Sequence, residues 1–340
     1  MSDEQREQLP TAPAADTSPS PREEQAAAQS GGGGQVAQFL LRYGIVLALI
    51  ALGAVLSFLT SAFLDVDNLL QVLLQASINA TIALGLTFVI ITSGIDLSVG
   101  STAALAGMVG AKAMKGEISW GLAILFALAV GLAVGAVNGL LITRLRITPF
   151  IVTLGTLSVV RGLTLIYSAG RPVFGFPKTF SQTIAGDVGP IPMPVVIAAV
   201  MAILSWFVLR YTRLGEYAYA IGGNEEATRL SGVAVDRYKV AIYMLCGLFA
   251  AIAGVMLTAR LRAAEPNAAS GYELDAIAAT VMGGTSLFGG EGGVVGTIIG
   301  ALIIATLRNG LNLLNVQAYY QQLAIGLVII LAVALDRFRQ

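Results

Sequence analysis

The sequence PVVIAAVMAILSWFVLR (194–210) is followed by YTRLGEYAYAIGGNEEATRLSGVAVDRYK (211–239) and then by VAIYMLCGLFAAIAGVMLTAR (240–260). Two apolar runs of bilayer-spanning length, about 20 residues each, thus bracket a segment dense in charges of both signs. Inside that segment, Gly222-Gly223-Asn224-Glu225-Glu226-Ala227-Thr228-Arg229-Leu230-Ser231-Gly232 reads as one short helix over about 225–231. Asn224 is a good N-cap, because its side chain accepts from a free first-turn amide. Glu225 and Glu226 complement the positive end of the helix dipole and Arg229 the negative end. Gly232 suits a left-handed C-cap. Ala227, Leu230 and Val233 recur every three residues as a narrow apolar edge, which fits either a partner's groove or an ordinary solvated helical turn.

Of 340 residues, 56% are hydrophobic and 12% charged, against about 25% charged in globular domains. Several runs match a membrane-spanning helix, and the alternating segments of a membrane barrel are absent. The expected class is an all-α integral membrane protein. Twenty basic residues balance twenty acidic ones, so no nucleic-acid partner is expected. Histidine is absent, which removes the commonest metal ligand and general base. Cys246, the one cysteine, lies in an apolar run and reads as inert packing. No GxxxxGK[ST] phosphate loop occurs. An enzyme is not expected, nor any cofactor or metal bound by this chain.

Residues 1–37 are polar, Pro-rich and Gly-rich and read as a disordered cytoplasmic tail, leaving 38–340 as the transmembrane domain. Ten spans are expected, over about 41–63, 69–92, 97–114, 119–143, 147–167, 194–210, 238–260, 274–289, 293–311 and 320–336. With both termini inside, twelve Lys and Arg flank the spans on the cytoplasmic side. Six (Lys112, Lys115, Arg171, Lys178, Arg260 and Arg262) lie outside, as the positive-inside rule requires. The 211–239 segment is then cytoplasmic. The longest outer connection, 168–193, holds four prolines and reads either as a compact periplasmic loop facing a ligand's source or as a passive connector.

Two Gly- and Ser-containing stretches interrupt the apolar pattern at short spans, Ile91 to Ser101 and Gly283 to Gly293. Broken backbone at membrane depth is tolerated only where protein or water satisfies it, so such stretches point to a transport path. They make Ser93, Asp96, Ser98, Gly284, Thr285 and Ser286 candidate path or gating residues. Asp96 reads as the N-cap of the following helix or as an ion-coupling carboxylate, with the cap favoured; Asp275 receives the same assignment. Arg161 and Arg308 could pair with an acid, snorkel or line a path. Glycines spaced by four at 131, 135, 139 and at 292, 296, 300 let helices approach closely, most simply within one subunit. Asn309, Asn312 and Asn315 give a polar stripe that faces a water-filled path or cross-links helices.

Taken together, TSGIDLSVGS at 92–101, GGNEEATRLSG at 222–232, GYELDAIAATVMGGTSLFGG at 271–290, GTIIGALI at 296–303 and NGLNLLNV at 309–316 resemble the permease subunits of bacterial ATP-binding-cassette importers for monosaccharides. The likeness covers about residues 38–340 and is nearest to the ribose-transporting members. It implies a homodimer in the inner membrane, a partner ATPase that carries ATP and Mg, and a periplasmic sugar-binding protein. It also implies that the helix within 222–232, carrying Gly223, Asn224, Glu225, Ala227, Arg229, Leu230 and Gly232, is the coupling helix seated in the ATPase. Transport would proceed by alternating access, with ATP-bound and free ATPases favouring different packings of the permease. Because the binding protein supplies affinity, no cage of charged residues is expected along the path.

Rival readings are an ion-coupled secondary transporter using Asp96, Glu273 or Glu291, a passive channel, and a branched-chain amino-acid permease. Leucine rather than a sugar would compete for uptake in the last case. Arg229→Glu is expected to uncouple transport while the protein stays in the membrane; normal uptake at normal expression would count against a coupling role.

Overall fold

A computed structural model of the chain describes residues 33–339, so residues 1–32 of the expected tail lie outside it. Residues from Ile45 onward pack as one unit. The helices run in the order α1 (Gly33–Leu59), α2 (Val66–Ile91), α3 (Val99–Lys115), α4 (Trp120–Arg144), α5 (Pro149–Ser168) and α6 (Lys178–Ala185). A two-residue hairpin, β1 (Asp187–Val188) with β2 (Ile191–Pro192), follows. Then come α7 (Met193–Tyr211), α8 (Arg213–Gly223), α9 (Glu225–Leu230), α10 (Val235–Leu261), α11 (Tyr272–Met282), α12 (Val294–Leu313) and α13 (Ala318–Arg339).

Six of these, α2, α4, α5, α7, α10 and α12, are long and apolar enough to cross a membrane. The other four expected positions hold α1, α3, α11 and α13. Two of them are short. At 1.5 Å per residue, the 17 residues of α3 and the 11 of α11 reach only about 25 and 16 Å, less than the roughly 30 Å hydrocarbon core. The stretches at 92–98 and 283–293 join these short helices to α2 and α12, so the interruptions read in the sequence are breaks in helices.

Burial sorts the long helices. The most apolar window of α2 is 89% buried and that of α10 is 67%, whereas α4 and α5 are only 22% buried. Phe150, Ile151, Leu154, Val159 and Ile166 of α5 and Ile203, Leu204 and Phe207 of α7 are exposed. An apolar surface of this extent is a liability in water and the proper surface in lipid. The hydroxyls of Thr81, Thr87, Thr164 and Thr280 bond to carbonyls one turn back, which satisfies them without water. Thr87 also meets Thr297 at 2.8 Å, tying α2 to α12.

The glycine ridges serve packing within the subunit. A Cβ on Gly135 would lie 2.2 Å from the Tyr243 carbonyl oxygen, and Gly131 and Gly139 face Gly247 and Val240, so α4 lies backbone-to-backbone against α10. Gly296 and Gly300 meet Gly283 and Ala279 in the same way and join α12 to α11. The 168–193 connection is compact. Val173 pairs with Ala264 across a backbone bridge, and Phe176 and Phe180 stack edge-on in a cluster with Met108, Val255 and Ala259.

Gly135→Leu is expected to cost about 1–3 kcal/mol by overpacking, seen as a lower melting temperature in detergent. Gly155→Leu, at a position with nothing within 4 Å, is expected to leave the melting temperature unchanged.

Candidate transport and coupling site

The charged segment folds as two helices. The sequence showed α9 but not α8, whose 11 residues carry the chain from the end of α7 to Asn224. Asn224 is the N-cap of α9, its Oδ1 accepting from the Ala227 N–H at 2.9 Å. Gly232 follows at φ +86°, and its N–H donates to the Arg229 carbonyl. Arg229 is committed within the chain: it ion-pairs with Glu225 at 3.0 Å and with Asp236 at 2.9 Å. Lys239 holds the other oxygen of Glu225, so both partners tie α9 to the start of α10. Thr228 faces inward and is buried, while Ala227 and Leu230 are exposed, Leu230 at 79%. Partial burial alone would raise the pKa of Glu225, but hydrogen bonds and charge from Lys239 and Arg229 outweigh it and hold the carboxyl below its ordinary value.

The end of α8 lies against both broken stretches. The Gly290 N–H donates to the Ile91 carbonyl at 2.9 Å, and the Ser93 hydroxyl donates to the Phe288 carbonyl at 2.7 Å. Gly222 sits on this junction: a Cβ there would come within 1.8 Å of the Ile91 oxygen and 2.4 Å of the Gly290 nitrogen. The Tyr219 hydroxyl, one turn earlier, donates to the Gly292 carbonyl at 2.8 Å. Ser93 at φ +59°, Gly284 at +85° and Gly289 at +88° make the left-handed turns that this clasp needs. Thr285 is buried beside Gly292, and the Ser286 N–H bonds to the Glu291 carbonyl, closing the 283–293 stretch on itself.

Asp96 is 1% exposed. Its Oδ1 accepts from the Ser98 N–H at 2.8 Å and the Ser98 hydroxyl at 2.6 Å, and Asn138 of α4 donates to Ser98 Oγ at 2.9 Å. Ser98 itself occupies the N-cap position of α3. Asp96 therefore satisfies an amide as a cap would, but from two residues before the N-cap and within a three-residue polar knot.

Asp275 requires a correction. The N-cap of α11 is Gly271, whose N–H is accepted by Glu273 Oε1 at 3.2 Å. Asp275 lies a turn inside the helix and pairs with Arg308 of α12 at 2.7 Å, because a buried carboxylate needs a partner. Arg161 donates instead to the Pro266 and Ala268 carbonyls at 2.7 and 3.0 Å, fastening the loop after α10. The asparagine stripe divides: Asn309 exchanges hydrogen bonds with Asn68, and Asn312 accepts from Gln321, so these two cross-link helices.

Around the Asp275–Arg308 pair lies a cavity of about 680 Å³, lined also by Gln75, Asn79, Arg260, Glu265 and Tyr272. Charges from separate parts of the chain converge here, Arg260 and Glu265 with Asp275 and Arg308. Gln75, Asn79, Tyr219 and Gly222 were missed in the sequence. Gln71, Gln75 and Asn79, amides recurring every four residues in the apolar run 69–92, were the available signal. The cavity lies at the C-terminal end of α10, where Leu257, Arg260 and Leu261 line it, whereas the 92–98 stretch meets α10 nearer its start, the Tyr243 hydroxyl donating to the Ile95 carbonyl.

A lipid-facing helical bundle with a polar cavity at one end and a charged helical segment at the other has the architecture of a membrane transport subunit. The chain belongs to the family described as branched-chain amino acid transport system / permease component, which matches residues 68–333. It is 47% identical over 306 residues to the ribose import permease of Escherichia coli (strain K12), covering 89% of this chain and 95% of that one. It is 47% identical over 299 residues to the ribose import permease of Bacillus subtilis (strain 168), covering 87% and 92%. It is 43% identical over 303 residues to the D-allose transport system permease of Escherichia coli (strain K12), covering 88% and 93%. No solved structure matches. The relatives are transport permeases, and six spanning-length helices fit a multi-pass protein of the bacterial inner membrane.

Gly222→Ala is expected to abolish uptake supported by this chain, whereas Gly223→Ala, with nothing within 4 Å, is expected to retain it. Glu225 adds a pH-dependent term. A carboxyl with a depressed folded-state pKa stabilises at neutral pH and loses that contribution as pH falls through the depressed value. Glu225→Gln is expected to melt below the parent at pH 7, with the gap closing below the ordinary carboxylate range.

Proposed function

We propose that this chain is the permease subunit of an ATP-driven importer that passes a monosaccharide, ribose first, from a periplasmic binding protein to the cytoplasm. In this reading it makes ten passes with both termini inside and works as a homodimer. It binds no cofactor of its own; ATP and Mg reside on a separate ATPase. The observation that carries the reading is the junction at Gly222. A surface segment with exposed apolar side chains at Ala227 and Leu230 is joined through α8 to both broken stretches. The 43–47% identity to ribose and allose permeases supports a sugar over the amino acid of the family's description.

The steps follow from the geometry. The ATPase seats α9, whose ion pairs to α10 keep it from turning independently of that helix. Closure of the ATPase moves α8 and α9, and Gly222 presses on the Ile91 carbonyl and on Gly290. Displacement there is shared by α2, α11 and α12, the helices that frame the cavity; on α2 the cavity-lining Asn79 lies about 18 Å from Ile91. ATP does work on the permease only to the extent that the ATP-bound and free ATPases differ in affinity for the two packings. Ser93, Asp96, Ser98, Gly284, Thr285 and Ser286 are the gating residues in this reading, and Asn309 and Asn312 hold helices together at the far end of α12.

Leu230 has no partner within the chain that its loss would strand. Leu230→Asp is expected to leave expression, membrane insertion and melting temperature unchanged. It should reduce co-purification of the ATPase at least tenfold and reduce labelled-ribose uptake in parallel. Parental co-purification and uptake by this variant would overturn the docking assignment.

A further inference from the structure

We propose that the cavity around the Asp275–Arg308 pair binds the sugar within the permease, contacting it through Gln75, Asn79 and Arg308; this rests on the importer reading above. Asn79 is 7% exposed and lines the cavity. Its Oδ1 is buried with no hydrogen-bond partner among the described residues. Buried amide oxygens are ordinarily bonded, so an acceptor left open on a cavity wall calls for a donor brought by a ligand. Gln75 lies one turn earlier on the same helix and also lines the cavity, so two amides face the ligand four residues apart.

Opposite them, Arg308 commits one guanidinium nitrogen to Asp275 Oδ2. The pair thus sets a fixed donor beside a fixed acceptor. Each hydroxyl of a sugar both donates and accepts, so vicinal hydroxyls can bridge such a pair and reach the amides across the cavity. The charges lining the cavity, Arg260 and Arg308 against Glu265 and Asp275, are balanced two to two, which favours a neutral polyol over an anion or a cation. The volume of about 680 Å³ lies within the range of small-molecule pockets, about 300–1,000 Å³. The end of α10 remote from the coupling segment is also where a sugar released by a periplasmic protein would enter.

The site is also linked to the clasp. Asn79 and Ile91 share α2, about 18 Å apart at 1.5 Å per residue. Arg308 lies on α12, and α2 and α12 are pinned together by Thr87 and Thr297 at 2.8 Å. Movement at the Ile91–Gly290 hydrogen bond therefore changes the separation of Asn79 from Arg308. The cavity can hold the sugar in one packing and let it go in the other.

The test uses the full complex of permease, ATPase and binding protein in proteoliposomes, comparing parent, Asn79→Leu and Gln75→Ala. ATP hydrolysis stimulated by the binding protein is measured beside uptake of labelled ribose and 2-deoxyribose, with the same binding protein throughout. Both variants are expected to keep stimulated hydrolysis within twofold. Ribose moved per ATP should fall at least tenfold for Asn79→Leu and severalfold for Gln75→Ala, and the ribose-to-deoxyribose ratio should change. A purely structural role would not move that ratio. If Asn79→Leu fails to assemble, Gln75→Ala decides by the same criteria. Parental ribose transport with an unchanged ratio in the assembled variants would overturn the site and leave the importer standing. A parental complex that moves no sugar would overturn the importer reading itself.

Discussion

At the end of α2 the Ile91 carbonyl accepts a hydrogen bond from the Gly290 N–H, in a space that stays open only because Gly222 has no side chain. Three segments far apart in sequence meet there backbone to backbone. Two are breaks in helices, where unpaired amides and carbonyls at membrane depth must find partners. The third is the end of α8, which leads into α9. The breaks are stable because they bond to each other, and that bonding places them under the surface segment. Structural satisfaction and mechanical linkage are the same set of contacts.

From this junction α2, α11 and α12 run toward the cavity, and their packing transmits rather than absorbs displacement. Glycine contacts hold α11 to α12 with no side-chain layer between them, and Thr87 with Thr297 fixes α2 to α12. Closely packed interfaces of this kind repack between discrete arrangements instead of deforming smoothly. A short displacement of α9 therefore has a defined consequence at Asn79 and Arg308. The lipid-facing α4, α5 and α7 bury much less and form the wall around the buried α2 and α10.

Much of this was legible in the chain. Apolar run length placed the spanning helices, since a bilayer fixes the length a helix needs. Local chemistry placed α9 to within a residue, because Asn224, Glu225 and Gly232 act only on their immediate neighbours. The two breaks were visible as glycine and serine in apolar surroundings. What could not be read was which breaks meet. Ser93 and Phe288 are 195 residues apart, and Asn68 and Asn309 are 241 apart. Asp275 resembled a cap because it stands at the expected start of the eighth span, near residue 274; its partner Arg308 lies a helix away and leaves no local trace. The polar cavity was missed for the same reason: its residues come from 75–79, 257–275 and 304–308, and only packing assembles them.

What drives the clasp separates an ATP-driven importer from an ion-coupled transporter. Labelled-ribose uptake would be measured in cells carrying this chain with its neighbouring subunits, with a protonophore and ATP depletion applied separately. Uptake that survives the protonophore and stops on ATP depletion is the predicted result, with Asp96 left as a structural carboxylate in its knot with Ser98 and Asn138. Uptake stopped by the protonophore while ATP remains high would contradict it, making the chain an ion-coupled transporter in which α9 has no ATPase to receive it.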